Sequence, residues 1–135
     1  MTKYIHANEY VIDTMGLVLR IEHRKLNSRL KSIFDSTEAG DTIIHIPSFV
    51  FAEILYLSER RRIDTSLSQV GEYLKQFLCY REYPMSFGVI QASSQITDIP
   101  ELHDRLIAGT ARLLDLFLIT NDPVIQASKF VKTFW

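Results

Sequence analysis

Cysteine is nearly absent from this chain: 135 residues contain one, Cys79. A single thiol excludes an internal disulfide framework and a zinc site built from several thiolates. Its neighbours Phe77, Leu78 and Tyr80 predict a buried structural thiol rather than a nucleophile. Charge of one sign is lacking too. Fifteen Lys and Arg stand against sixteen Asp and Glu, a net charge of −1, so any nucleic-acid contact must come from local patches. No apolar run approaches the ~20 residues of a membrane span. The first ten residues, MTKYIHANEY, lack the apolar core of a signal peptide, which predicts a cytoplasmic protein with no membrane partner. No Pro-, Gly- or Ser-rich linker, internal repeat or low-complexity tract interrupts the chain, so residues 1–135 read as one domain. The glycine-rich phosphate loop of nucleotide triphosphatases is also missing.

What is present is globular: 47% hydrophobic and 23% charged residues. Tyr10-Val11-Ile12 reads as a first strand ending at Asp13. A helix begins near Asn27-Ser28, with Leu30, Ile33 and Phe34 on one face, and stops at Gly40. Thr42 to Ile46 is a second strand. Another helix starts at Pro47-Ser48, with Ser48 as its N-cap, and runs to about Arg62. Ser66 to Phe77, Phe87 to Ile96 and Glu101 to Leu114 have helical patterns. The proline in Tyr83-Pro84-Met85 allows at most a short edge strand there. Leu116 to Thr120 and Val131 to Trp135 read as the last strands. Strands alternating with helices predict an α/β domain on a mostly parallel sheet, with function gathered outside the carboxyl ends of the strands.

The acids fall in informative places. Asp13 ends a strand directly, and Leu116-Phe117-Leu118-Ile119-Thr120-Asn121-Asp122-Pro123 ends another on a hydroxyl, an amide and a carboxylate. A helix cap or turn accounts for each equally well. Glu53 has Phe49, Val50, Tyr56 and Leu57 as helical neighbours, and Asp104 heads a face made of Ile107, Ala108 and Ala111. A carboxylate on such a face must be paired, neutralised or bound to a metal; an Asp–Arg pair is the alternative, although Arg105 and Arg112 read as solvated. If the four acids converge, each like-charge pair at ~4 Å repels by roughly 4 kcal/mol at an effective dielectric of about 20. Such a cluster takes up protons or binds cations. Oxygen ligands alone favour Mg²⁺ or Mn²⁺, and an acid-lined Mg²⁺ pocket points to phosphoryl chemistry.

Four segments in order carry a resemblance to the PIN-domain nucleases, and within them to the VapC-type toxins of toxin–antitoxin pairs. They are Val11-Ile12-Asp13-Thr14, Phe51-Ala52-Glu53-Ile54-Leu55, His103-Asp104-Arg105-Leu106-Ile107-Ala108-Gly109-Thr110-Ala111 and Ile119-Thr120-Asn121-Asp122. The resemblance implies a three-layer α/β/α sandwich and a Mg²⁺- or Mn²⁺-dependent endoribonuclease. It implies Asp13, Glu53, Asp104 and Asp122 as metal-binding acids, Thr120 as a holder of Asp122 and of a water, and a lesser role for Ser48. It also implies an RNA substrate, a cognate antitoxin and a homodimer. Met15, where many relatives carry a small polar residue, and Leu57-Ser58, where a glycine is frequent, depart from the pattern without removing an acid. An RNA-processing nuclease of the same family, or an inactive binding module, are the alternatives.

A haloacid-dehalogenase-like phosphatase would want an Asp where Met15 stands. His6, His23, His45 and His103 are scattered, and His103 points about 100° from Asp104, so structural or surface roles are expected of them. Arg20, Arg24, Lys25, Arg29 and Arg60 to Arg62 are the candidates for holding an RNA backbone.

Overall fold

A computed structural model of the chain describes residues 8–135. The strands β1 (Asn8–Ile12), β2 (Thr42–Pro47), β3 (Tyr80–Tyr83), β4 (Phe117–Ile119) and β5 (Thr133–Phe134) form one sheet in the order β3-β2-β1-β4-β5. Every neighbouring pair is parallel. Helices α1 (Thr14–Ile21) and α2 (Ser28–Glu38) join β1 to β2, and α3 (Ser48–Glu59) and α4 (Leu67–Gln76) join β2 to β3. Then α5 (Phe87–Ser94) and α6 (Leu102–Leu114) cross back to β4, and α7 (Pro123–Gln126) leads to β5. Right-handed crossovers put α1 to α4 on one face and α5 and α6 on the other, because the third crossover runs across the sheet in the opposite direction. The result is the three-layer, PIN-like architecture that the resemblance implies.

A parallel sheet covered on both faces needs apolar residues pointing both ways. Val11 and Ile12 on β1, and Leu118 and Ile119 on β4, point to opposite faces and are fully buried, as are Ile44 and Ile46 on one face of β2. Leu17, Leu30, Phe34, Val50, Ile54, Ala108 and Ala111 pack onto them from the helices. Each large side chain buried this way contributes about 1.5–3 kcal/mol relative to exposure. Side-chain caps start several helices: Asn27 accepts from the Leu30 N–H at 2.8 Å, and Ser66 forms a capping box with Gln69.

Several expectations need correction. Ser48 is the first helical residue of α3 rather than its cap, and Pro47 occupies the cap position without a side-chain bond. The Ser48 hydroxyl instead donates to the Tyr83 carbonyl and accepts from the Met85 N–H, both at 3.0 Å, so it ties α3 to the end of β3. The edge strand ends before Pro84, which has no N–H to extend the ladder. Cys79 is partly exposed, because it precedes an edge strand. Helix α1, which the sequence pattern does not predict, carries Arg20 into a closed network. Its guanidinium meets Asp35 and Glu38 at 2.8 Å, and Glu38 also accepts from the Tyr73 and Tyr80 hydroxyls. Burial works to raise the Glu38 pKa, but those donors hold it below the usual carboxylate range. Arg20 is therefore a structural cation that joins α1 to α2.

Candidate metal centre at the carboxyl edge of the sheet

The strand order fixes where a ligand can sit. The chain leaves β1 toward β2 on one side and leaves β4 toward β5 on the other, so the topological switch lies between β1 and β4. Asp13 follows β1 there and Thr120 to Asp122 follow β4. The Asp13 N–H continues the ladder by donating to the Ile119 carbonyl at 3.1 Å.

Asp13 is 7% exposed and caps α1, its Oδ1 accepting from the Gly16 N–H at 2.8 Å. A Cβ at position 16 would stand 3.1 Å from that oxygen and 3.0 Å from Ile12 Cγ1, so glycine keeps the carboxylate's place open. Thr120 is fully buried; its hydroxyl accepts from the Asp122 N–H at 3.1 Å and hydrogen-bonds Asp13. Asp122 caps α7, its Oδ1 accepting from Val124 at 2.8 Å and Ile125 at 3.4 Å. Glu53 reaches the same place from α3, where the Thr14 hydroxyl donates to it. Asp104 arrives from the first turn of α6.

All four carboxylates line one open cleft of about 260 Å³, with Thr14, Met15, Leu57, Ile107, Asn121, Pro123 and Ile125 completing it. Among the described residues none of the four forms an ion pair with Lys, Arg or His. The Asp–Arg alternative therefore does not hold for Asp104. Arg105 is half-buried rather than solvated, and its Nε is a buried donor without a partner. Burial is the largest influence on Asp13 and pushes its pKa up to about 6. The Thr120 and Gly16 hydrogen bonds oppose that, and the Asp122 and Glu53 charges add to it. Asp104 is also raised to about 6, first by burial and then by Asp122, Glu53 and Glu101, with His103 opposing.

The donor set fits a hard divalent cation. It offers carboxylate oxygens in an open cleft where, among the described residues, no cationic side chain pairs with them. Among the described residues no three His, Cys, Asp or Glu side chains are already gathered tightly enough to enclose an ion.

The environment expected for Glu53 is corrected: α3 buries Val50 and Ile54, while Tyr56 is 52% exposed, so Glu53 sits at the boundary of two apolar faces. The three described histidines stand clear of the cleft. His45 pairs with Glu9 at 2.7 Å, His103 stacks on Phe49, His23 ends α1 with φ 54°, and His6 lies outside the described residues. Of the basic residues, Arg24 pairs with Glu22, Arg29 lies over Phe134 and Arg60 over Tyr56. Thr14 and Gly16 were not singled out from sequence. Their signal was an N-cap acid followed at once by an apolar two-turn helix.

A parallel five-stranded sheet with a cleft of acids at its switch point is a PIN-like fold carrying a candidate cation site. Among solved structures, it is similar to a chain of VapBC2 from Rickettsia felis bound to a DNA fragment from their promoter. The TM-score is 0.72 at 20% identity, over 94% of this chain and 98% of that one. DNA-bound VapBC from Salmonella typhimurium gives a TM-score of 0.68 at 14% identity, over 94% and 97% of the two chains. FitAcB from Neisseria gonorrhoeae gives 0.64 at 20% identity, over 93% and 96%. No family model and no curated protein matches the sequence. At these identities the likeness is one of fold.

Among the described residues no helix is long and apolar enough to cross a membrane.

Proposed function

We propose that this chain, read as one nuclease domain over residues 1–135, is a Mg²⁺- or Mn²⁺-dependent endoribonuclease, the toxin of a type II toxin–antitoxin pair. The observation that carries the reading is the convergence of Asp13, Glu53, Asp104 and Asp122 on one cleft, where no cationic side chain among the described residues pairs with them. Those acids would hold the cation, which when bound supplies Lewis-acid activation of water and neutralisation of the scissile phosphate. Thr120 fixes Asp13 and Asp122 relative to each other, and Thr14 holds Glu53. Burial and the neighbouring acids raise the Asp13 and Asp104 pKa values, so both would have to be ionised to hold the cation. Among the described residues no histidine lines the cleft, and its carboxylates are the side chains that would take a proton from water.

Solved neighbours described as VapBC complexes, and one described as a toxin–antitoxin complex from Klebsiella pneumoniae (18% identity, TM-score 0.61), support an antitoxin as the partner. RNA as substrate and a homodimer are what the sequence resemblance implies. The test is cleavage of a structured RNA pool by partner-free protein, with Mg²⁺ or Mn²⁺, with chelator, and with Asp104→Asn. Cleavage that needs the cation and disappears in the variant is the expected result. Cleavage that survives chelator, or survives in Asp104→Asn, would remove the carboxylate–metal reading.

A further inference from the structure

Beside the acid cleft, and sharing Glu53 and Leu57 with it, lies a second hollow of about 530 Å³. Its other walls are Phe49, Ala52, Tyr56 and His103. Helix α3 already satisfies the core with Val50 and Ile54, so this is a second, outward-facing stripe at positions 49, 52, 53, 56 and 57. The Phe49 and His103 rings, from α3 and α6, stack on each other at 4.8 Å and 26°, so the two helices share one side of the hollow. Tyr56 presents half its surface to solvent, with the Arg60 guanidinium 4.3 Å from its ring centre.

We propose that this slot receives an unpaired nucleobase of the strand whose phosphate occupies the acid cleft, an inference that rests on the nuclease reading above. The order of chemistry along α3 matches a nucleotide strand: a cation-binding carboxylate at Glu53, an aromatic slot, then the guanidinium of Arg60. Glu53 and Arg60 are seven residues apart, about 10 Å along the helix. One phosphate would face the acids through their cation and another would face Arg60, with the base between them on the aromatic surface. Base stacking on aromatic rings tolerates any sequence and suits single-stranded or looped RNA, whose bases are free to turn out. A chain with a net charge of −1 has little nonspecific attraction for RNA, so such a contact matters more here than in a basic protein.

The test measures binding of the full chain to short single-stranded RNAs in Ca²⁺. One series carries 2-aminopurine at successive positions and the other an abasic site at the same positions. At one position next to the cleavage site, 2-aminopurine fluorescence should be quenched, and base removal should weaken binding roughly 5- to 150-fold. Tyr56→Ala should weaken the intact strand by a similar factor and erase the difference between intact and abasic strands, while Tyr56→Phe retains both. Equal binding of intact and abasic strands at every position, or wild-type behaviour of Tyr56→Ala, would overturn the slot. If Mg²⁺-dependent RNA cleavage persists in that case, the nuclease reading stands and the aromatic face belongs to a protein partner. If the wild type neither binds nor cleaves RNA, the nuclease reading fails first and the slot with it.

Discussion

Replacing Asp13 by Asn tests whether the acid cleft is held at a cost to the folded chain. Asn keeps a side-chain oxygen to accept the Gly16 N–H and removes one of the charges crowding the cleft. In the folded protein Asp13 ionises at about 6, against 3.8 for an unperturbed group. Two pH units at about 1.4 kcal/mol each make ionised Asp13 destabilising by roughly 3 kcal/mol. The unfolded chain loses this proton near 3.8 and the folded chain only near 6. The folded state therefore binds more protons in between, and the stability present below 3.8 is lost as the pH rises through 6. Asn does not titrate. At pH 7.5 in chelator the variant should be more stable than wild type by about 1–3 kcal/mol, or about 3 °C or more in Tm. Urea or thermal unfolding followed by circular dichroism from pH 4 to 8 reads this directly. Glu38 works in the opposite sense, because its depressed pKa removes stability as the pH falls, so the difference between the two proteins is the quantity to follow. Added Mn²⁺ should raise the wild-type midpoint and move the variant's much less. A difference that stays flat from pH 4 to 7, or a variant less stable than wild type at pH 7.5, would refute the reasoning.

Two other substitutions probe how the site is held. Gly109→Ala places a Cβ 1.9 Å from Ser93 Oγ and 3.0 Å from its Cα, so α5 and α6 must part; we expect a loss of about 1–3 kcal/mol in urea unfolding, and wild-type stability would show that the helices are not in such close contact. Thr14→Val keeps the shape and deletes the hydroxyl that donates to Glu53. Mn²⁺ affinity by calorimetry should fall roughly 10-fold, with Thr14→Ser restoring it, and unchanged affinity would deny Thr14 its positioning role.

The legibility of this chain varied with how local each signal is. Asp13 and Asp122 were readable because an apolar strand that stops on a carboxylate leaves that group at the sheet's edge whatever follows. Asp104 was readable from the run Ile107, Ala108 and Ala111, which does pack inward. Glu53 was found for a partly wrong reason, since Phe49, Tyr56 and Leu57 form a second apolar face that periodicity cannot distinguish from the first. Helix α1 was invisible because its apolar residues Leu17 and Val18 are both buried, blurring a two-turn amphipathic pattern. Helix α7, at four residues, is too short to have a period. Arg20 resembled a surface cation because its partners Asp35 and Glu38 come from another helix, and no local pattern carries that pairing.

The cap role of Asp13 and Asp122 and the metal-ligand role proposed for them are compatible in one arrangement. A residue that ends a parallel strand and starts a helix must point its side chain back over the first turn, at the carboxyl edge where the switch point lies. In each residue the cap bonds go to Oδ1, from the Gly16 N–H in Asp13 and from the Val124 and Ile125 N–H groups in Asp122. The Thr120 hydroxyl holds Asp13 as well, so cap and threonine together fix the direction of the carboxylates at the cleft. The cap's N–H and the helix dipole both favour the ionised form, yet Asp13 still ionises only near 6, because burial and the neighbouring charges outweigh them. A divalent cation opposes both of those effects at once. The strain that ionised Asp13 imposes on the folded chain is therefore also the reason a cation should stabilise that chain, and Asp13→Asn should diminish both together.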